Sequence, residues 1–260
     1  MPTSMSGTGD PARTLLLLWR QPLRSSRRGP QQGLAIDSIV QKAIAVADAE
    51  GLDAVTMRRL AQELGVAAMT LYTYVPGKAE LLDLMLDYAY IRMPRTPFEG
   101  KPWRARLEAV ASDNRSLFAT HPWAATISTV RPPLGPGALG KYEHELAAVD
   151  GTVLDDVEMD AALTLVLQFV RTAALAAEEV HAAEQLSRRD DEQWWAANQP
   201  LLSRIMDPSA YPLATRVGTA AGQAHGAAFH PDHAYSFGLG RILDGLANLI
   251  DRGAAGRRSS

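Results

Sequence analysis

A chain of 260 residues, 47% hydrophobic and 21% charged, has room for two domains and the composition of an ordinary globular protein. A formal net charge of −3 argues against a binder held by bulk charge alone, and the absence of cysteine excludes disulfides, thiolate metal sites and a cysteine nucleophile. The short apolar run Leu15–Trp19 is preceded by no basic stretch and followed by no small-residue cleavage site, so neither a membrane span nor a secretory signal is expected there.

Residues 1–33 are rich in Gly, Pro, Ser and Arg, with five arginines against Asp10 and a net charge of +4. They are expected to form a flexible basic arm, with Leu15–Trp19 the one cluster that could dock. Such an arm is either a plain tail or a device that tracks DNA phosphates. Residues 36–49 carry Ile36, Ile39, Val40, Ala43, Ile44 and Ala47 at helical spacing, closed by Gly51. Ala35 offers this helix no side-chain cap.

Thr56 to Lys78 then reads as two short helices and a turn. Thr56 can cap the first helix, Leu60 and Leu64 stack one turn apart, and Ala61 suits a close crossing. Gly65 can take the left-handed conformation of the turn, Val66 and Leu71 close a small core, and Pro76-Gly77 stops the second helix. This spacing is the helix-turn-helix pattern. Its second helix presents Ala67, Ala68, Met69 and Thr70 at the end expected to enter a major groove. Arg58 is the one nearby side chain able to grip a guanine with two bonds.

A further helix is expected over 78–93, then one at 102–120, a short one from Pro122 to about Val130, a loop at 131–137 and a helix at 136–149. Residues 155–186 form the longest helix, opened by an acidic first turn and almost wholly apolar from Ala161 to Ala177. Thr164, Gln168 and Arg171 share one stripe on it, as a structural network, an interface or a cavity lining. A helix opens at Trp194-Trp195, residues 207–231 are expected to be a loop, and Asp232 caps a last helix over 232–251. Gly238, Gly240 and Gly245 fit a close crossing there. The tail from Gly253 is expected to be disordered.

The stretch Thr56, Arg58, Leu60-Ala61, Leu64-Gly65-Val66, Thr70-Leu71-Tyr72, Tyr74 and Lys78 resembles the DNA-binding motif of the TetR (tetracycline repressor) family. The resemblance is specific over 34–87 and general elsewhere. It implies an all-α fold: the arm 1–33, a helix-turn-helix domain at 34–82, and a larger helical ligand-binding and dimerisation domain at 83–260. It also implies contacts of Thr56, Met57, Arg58, Ala68, Met69, Thr70, Tyr72, Thr73, Tyr74 and Lys78 with a double-stranded DNA operator. The homodimer would form through the helices 155–186 and 232–251, both of which have more apolar face than one chain can bury. The implied function is a cytoplasmic repressor released from its operator by a small-molecule effector of unknown identity. Trp103, His121, Trp123, Gln168 and Arg171 are the candidate effector contacts. The domain around the motif is itself net −3 over 34–92, so the arginine arm is expected to supply phosphate-neutralising charge.

A ligand-independent regulator or activator would share every motif residue. A helical enzyme with an accessory DNA-binding head would need a catalytic constellation. None is expected: there is no phosphate-binding Gly loop and no nucleophile elbow, and neither cofactor nor metal is called for. His225, His230, Asp232 and His233 are the one cluster with metal-ligand residue types, and their spacing matches no established metal motif.

Overall fold

The computed structural model describes residues 4–5, 7–21, 35–227 and 229–258. A two-residue strand β1 (Ser4–Met5) precedes α1 (Pro11–Leu18), capped by the Asp10 carboxylate on the Ala12 and Arg13 N–H groups. The expectation of a flexible arm over 1–33 is corrected for this stretch. Leu17 and Leu18 are buried in the first core, and this apolar pair outweighs the Gly/Pro/Arg-rich composition around it. Arg24, Arg27 and Arg28 lie outside the described residues.

The head comprises α2 (Ile36–Glu50), α3 (Met57–Glu63) and α4 (Ala68–Tyr74). Ile39, Val40, Ala43 and Ala47 of α2 are buried against Leu60, Ala61 and Leu71 of the helix pair. Ala35 at the start of α2 makes no side-chain cap. Next, α5 (Lys78–Arg92) is buried without a break from Glu80 to Asp87. It has no single apolar face because it is wrapped by α1, α2 and, from the body, α8.

The body consists of α6 (Trp103–Thr120), α7 (Pro122–Thr126), β2 (Ile127–Ser128), α8 (Pro136–Leu146), α9 (Asp156–Ser187), α10 (Asp191–Ile205), α11 (Pro212–His225) and α12 (Pro231–Arg258). The short helix after Pro122 thus ends earlier than expected, because Ile127–Ser128 pairs in parallel with β1 instead. The helix α9 opens with a capping box: Asp155 accepts from Val157 and Glu158, and Glu158 accepts from Asp155. Leu163, Val166 and Val170 of α9 pack with Leu107, Val110, Leu243 and Leu246 into the second core. By length and composition α9 could cross a bilayer, yet here it packs along α6 and α12.

Three further expectations are corrected. Residues 207–231 are not a loop, since Pro212 starts and Gly226 ends the helix α11. Its alanines favour a helix, which prevails over Gly218 and Gly222. Trp195 of α10 rests on Gly222, and neither helix buries a residue in either core. The last helix continues through the expected disordered tail to Arg258, and it begins at Pro231, with Asp232 in its first turn paired to Arg115. Of Gly238, Gly240 and Gly245 on α12, only Gly238 meets a close neighbour, the Phe169 ring of α9; Gly240 and Gly245 face open space.

Candidate nucleic-acid interface and effector cavity

The helix pair is built by local chemistry. Thr56 Oγ1 accepts from the Arg59 N–H at 3.2 Å and starts α3. Gly65 sits at φ +67°, and the Val66 N–H returns to the Ala61 carbonyl at 2.9 Å, closing the turn. Leu60, Leu71 and Val75 are fully buried, which fixes α4 to the head and leaves its other face outward. On that face Ala68, Met69, Thr70, Tyr72 and Thr73 are exposed together, with Met69 at 76%. Exposed apolar methyl and aromatic groups beside small residues suit contact with thymine methyls and the sugar–phosphate chain.

Two adjacent arginines have opposite fates. The Arg59 guanidinium donates to both Glu50 oxygens at 2.6 Å and meets Glu63 at 3.6 Å, so it is spent within the head. That pairing holds Glu50 below and Arg59 above its ordinary pKa, with the side-chain hydrogen bond as the main cause. Arg58 is exposed and makes no hydrogen bond or ion pair with any described residue. Of the other motif residues, Lys78 Nζ lies 3.4 Å from the Leu52 carbonyl and Tyr74 is half-buried on the core. Thr73 Oγ1 donates to the Thr70 carbonyl. Met57 is the exception: it is buried in the head core at 8% exposure, because the first residue of α3 turns inward, and this takes it off the outward face.

The five expected effector contacts do not converge. His121 Nδ1 and Trp123 Nε1 both lie 2.7 Å from Asp48 Oδ1, joining α7 to α2. Arg171 Nε donates to the Ala125 carbonyl at 2.7 Å. Trp103 packs on the second core, and Gln168 is exposed on α9. The polar groups of His121, Trp123 and Arg171 are thus engaged in holding elements together.

A cavity of about 400 Å³ lies elsewhere, between α5, the 129–134 segment, α8 and α9. Its walls include Leu134, Leu139 and Leu167, and its polar groups include Tyr90, Lys141 and Glu145. Lys141 and Glu145 form a buried pair at 2.7 Å, and Asn114 donates to Glu145 at 2.5 Å. Burial holds Lys141 below its ordinary pKa, opposed by Glu145. Burial, helped by Glu145, pushes the Tyr90 hydroxyl well above its ordinary pKa, so it stays a neutral donor. Volume and lining are those of a small-molecule site. In the sequence, Lys141 and Glu145 look like any solvated pair four apart on a helix, and only the covering loop makes them interior.

The rings of His225, His230 and His233 lie side by side, with centroids 4.5 and 5.3 Å apart. Among the described residues, no group of three His, Cys, Asp or Glu side chains is placed to hold a metal ion.

Residues 39–85 match the family model described as bacterial regulatory proteins, tetR family. Residues 96–250 match the tetracyclin repressor-like C-terminal domain. The HTH-type transcriptional repressor DrrR1 of Streptomyces coeruleorubidus is 40% identical over 250 residues, covering 95% of this chain and 90% of that protein. An HTH-type transcriptional regulator of Saccharopolyspora erythraea is 34% identical over 164 residues, 63% of this chain and 68% of that protein. Among solved structures, Streptomyces coelicolor ActR in complex with actinorhodin superposes with a TM-score of 0.71 at 27% identity, over 85% of this chain and 98% of that one.

Proposed function

The chain belongs to the TetR family of DNA-binding transcriptional regulators, and on that footing we propose that it is a homodimeric repressor released from its operator by a small organic effector. The observation that carries the DNA half is the outward face of α4 beside Arg58, which is unpaired among the described residues. Thr56, Arg58, Ala68, Met69, Thr70, Tyr72, Thr73, Tyr74 and Lys78 are the residues assigned to DNA, with Arg58 reading a base and the others setting the register on phosphates and methyls. The head is taken as 34–82 and the body as 83–260. A DNA-bound regulator of this kind works in the cytoplasm.

The dimer is assigned to α9 and α12. Val157, Leu165, Phe237 and Leu249 of these helices are exposed in the single chain, and a second copy related by a two-fold axis would cover them. The α10–α11 pair, with Trp194, Leu201, Ile205 and Val217 exposed, supports the same reading. Two symmetry-related heads then meet a two-fold-related operator.

The effector half rests on the cavity at Tyr90, Leu134 and Lys141, and on the actinorhodin complex of ActR. An effector acts by binding one arrangement of the dimer better than the other, which shifts their populations. The test is selection of DNA from a random pool with the full-length protein, followed by release of the selected fragment with a panel of aromatic natural products. Enrichment of a two-fold-symmetric site with two protomers bound is the expected result. A pool with no enriched sequence would overturn it.

A further inference from the structure

Residues 4–5 and 7–20 hold the body with one set of contacts and the head, with the α5 that leads to it, with another. On the body side, β1 pairs with β2, placing Ser4 opposite Ile127 and Met5 opposite Ser128. Gly7, at φ +68°, brings its backbone against Arg131 so closely that an added Cβ would stand 3.0 Å from the Arg131 Cβ. The Trp19 indole N–H donates to the Leu134 carbonyl at 2.9 Å. On α5, the helix that joins body and head, the Gly7 N–H donates to both Asp83 oxygens at 3.0 and 3.2 Å. Leu17 and Leu18 are buried in the core shared with α2 and α5. Arg20 closes the run with a 2.6 Å pair to Asp37 at the start of α2.

Leu134 belongs to the roof of the cavity, together with Pro132 and Pro133. The residue whose carbonyl holds Trp19 is therefore a residue that a cavity ligand would touch. An N–H···O bond survives only over a donor–acceptor range of about 2.7–3.2 Å, so a roof displaced by more than a fraction of an ångström loses it. The docked segment also carries an internal cost. Arg13 Nε and Thr14 Oγ1 are buried without a hydrogen-bond partner among the described residues. Polar groups buried in that way oppose docking, which leaves the segment easier to release than its buried leucines alone would suggest.

We infer that residues 7–20 are a strap that ties the cavity roof to the DNA-binding head. Displacement of the roof frees Trp19, loosens α1 on α5 and α2, and changes the set of the head. This is regulation of the cavity assigned above and rests on that reading. It adds a non-covalent route between the two halves beside the covalent one through α5. The strap biases the arrangement seen here, and by linkage whatever releases it must shift the equilibrium the effector also shifts.

The test is hydrogen exchange on the full-length chain and on Trp19→Phe. Trp19 is 45% exposed, so the variant removes the indole donor without opening a core. Exchange is expected to rise by about 10-fold, within the usual range of such couplings. The rise should appear in 129–134 and also in the first turn of α2 and at 80–87 of α5. A rise confined to 129–134 overturns the strap. A second variant works in the opposite sense. In this cysteine-free chain, Gly7→Cys with Arg131→Cys places two Cβ atoms that need to part by about half an ångström to reach disulfide spacing. Because a Cys at the φ +68° of Gly7 is strained, the oxidised form is compared with the reduced form of the same variant: oxidation is expected to slow exchange in the same α2 and α5 segments, and reduction to restore it. Head exchange indifferent to oxidation also overturns the strap. On an operator fragment selected with the wild-type protein, Trp19→Phe is expected to weaken binding about 5-fold or more. Equal binding by both proteins counts against the strap alone. A wild type that selects no DNA counts against the regulator reading, while exchange still decides the strap.

Discussion

Arg58→Ala is expected to weaken operator binding severely while leaving the fold intact. Arg58 is exposed and unpaired among the described residues, so no interaction inside the protein goes with it. The stability change should stay within about 0.5 kcal/mol, as for other featureless surface positions. A bidentate contact to a base is worth about 1–3 kcal/mol. A dimer makes it twice, at heads far enough apart for the losses to add, so the operator loses about 2–6 kcal/mol. At about 1.4 kcal/mol per decade this is a drop of roughly 30-fold to over 10,000-fold. The assay is fluorescence anisotropy on a selected operator and on its single-base variants at two salt concentrations. The variant should lose discrimination at one base pair per half-site and keep it elsewhere. An equal loss on every sequence, with the salt slope shallower by about one per arginine, would make Arg58 a phosphate contact. No loss would remove it from the interface.

Other outcomes follow from the same geometry. Replacing Arg24, Arg27 and Arg28 with Gln should flatten the salt dependence of binding by up to about 0.9 in slope for each phosphate left unneutralised, and an unchanged slope would show that the arm touches no DNA. These substitutions are a cleaner test than deleting residues 1–28, which would also remove the docked helix α1. Gly137→Ala should cost about 1–3 kcal/mol in a denaturant melt. Its Cβ would overlap the Asp87 carbonyl oxygen and crowd Ile91, forcing α8 off α5, and an unchanged midpoint would refute that tight crossing. Lys141→Met should destabilise by about 3–5 kcal/mol because it strands the buried Glu145, whereas Lys141→Met with Glu145→Leu should recover most of it; equal losses would mean the pair itself is the source of stability. Asp83 is pushed up to about 6 from 3.8 by burial, with Glu80 adding and the Gly7 N–H opposing. The fold thus prefers it protonated: its contribution is complete below about pH 4 and is lost as the pH rises through 6. Lowering the pH from 7 to 4 should add about 1–2 kcal/mol from this residue once solvent screening is allowed for, with Asp87 shifted the same way by burial. Asp83→Asn keeps an acceptor for Gly7 and should flatten that rise, and a pH profile identical to wild type would refute the assignment.

The helix-turn-helix was legible because each of its determinants is local. Thr56 caps the very helix it precedes, Gly65 supplies the positive φ at the turn it occupies, and Leu60 and Leu71 are spaced for a core only a few residues away. The same holds for the acidic first turn expected at the start of α9, where Asp156 and Glu158 stand. Met57 escaped this reading because the first residue of a helix can point in or out, and only the packing of α3 on its neighbours turns it inward.

What the tertiary structure decided lies where a residue's role depends on a distant part of the chain. Leu17 and Leu18 read as a patch in a polar arm, and they became core because α5 lies across them. Residues 212–225 read as a loop from their glycines and prolines, and they became a helix beside α10 with Trp195 on Gly222. Trp123 and Arg171 read as cavity polar groups, but Asp48 and the Ala125 carbonyl claim them. Nothing in the sequence singled out Lys141 and Glu145, which become interior only where the 129–134 segment and α9 close over them. The chain by itself therefore determined the all-α class and the DNA-reading motif, because capping, turn conformation and helical spacing act within a few residues. Burial is shared among segments far apart in the chain, as between Trp19 and Leu134, so the cavity and the segment tied to its roof were settled only by packing.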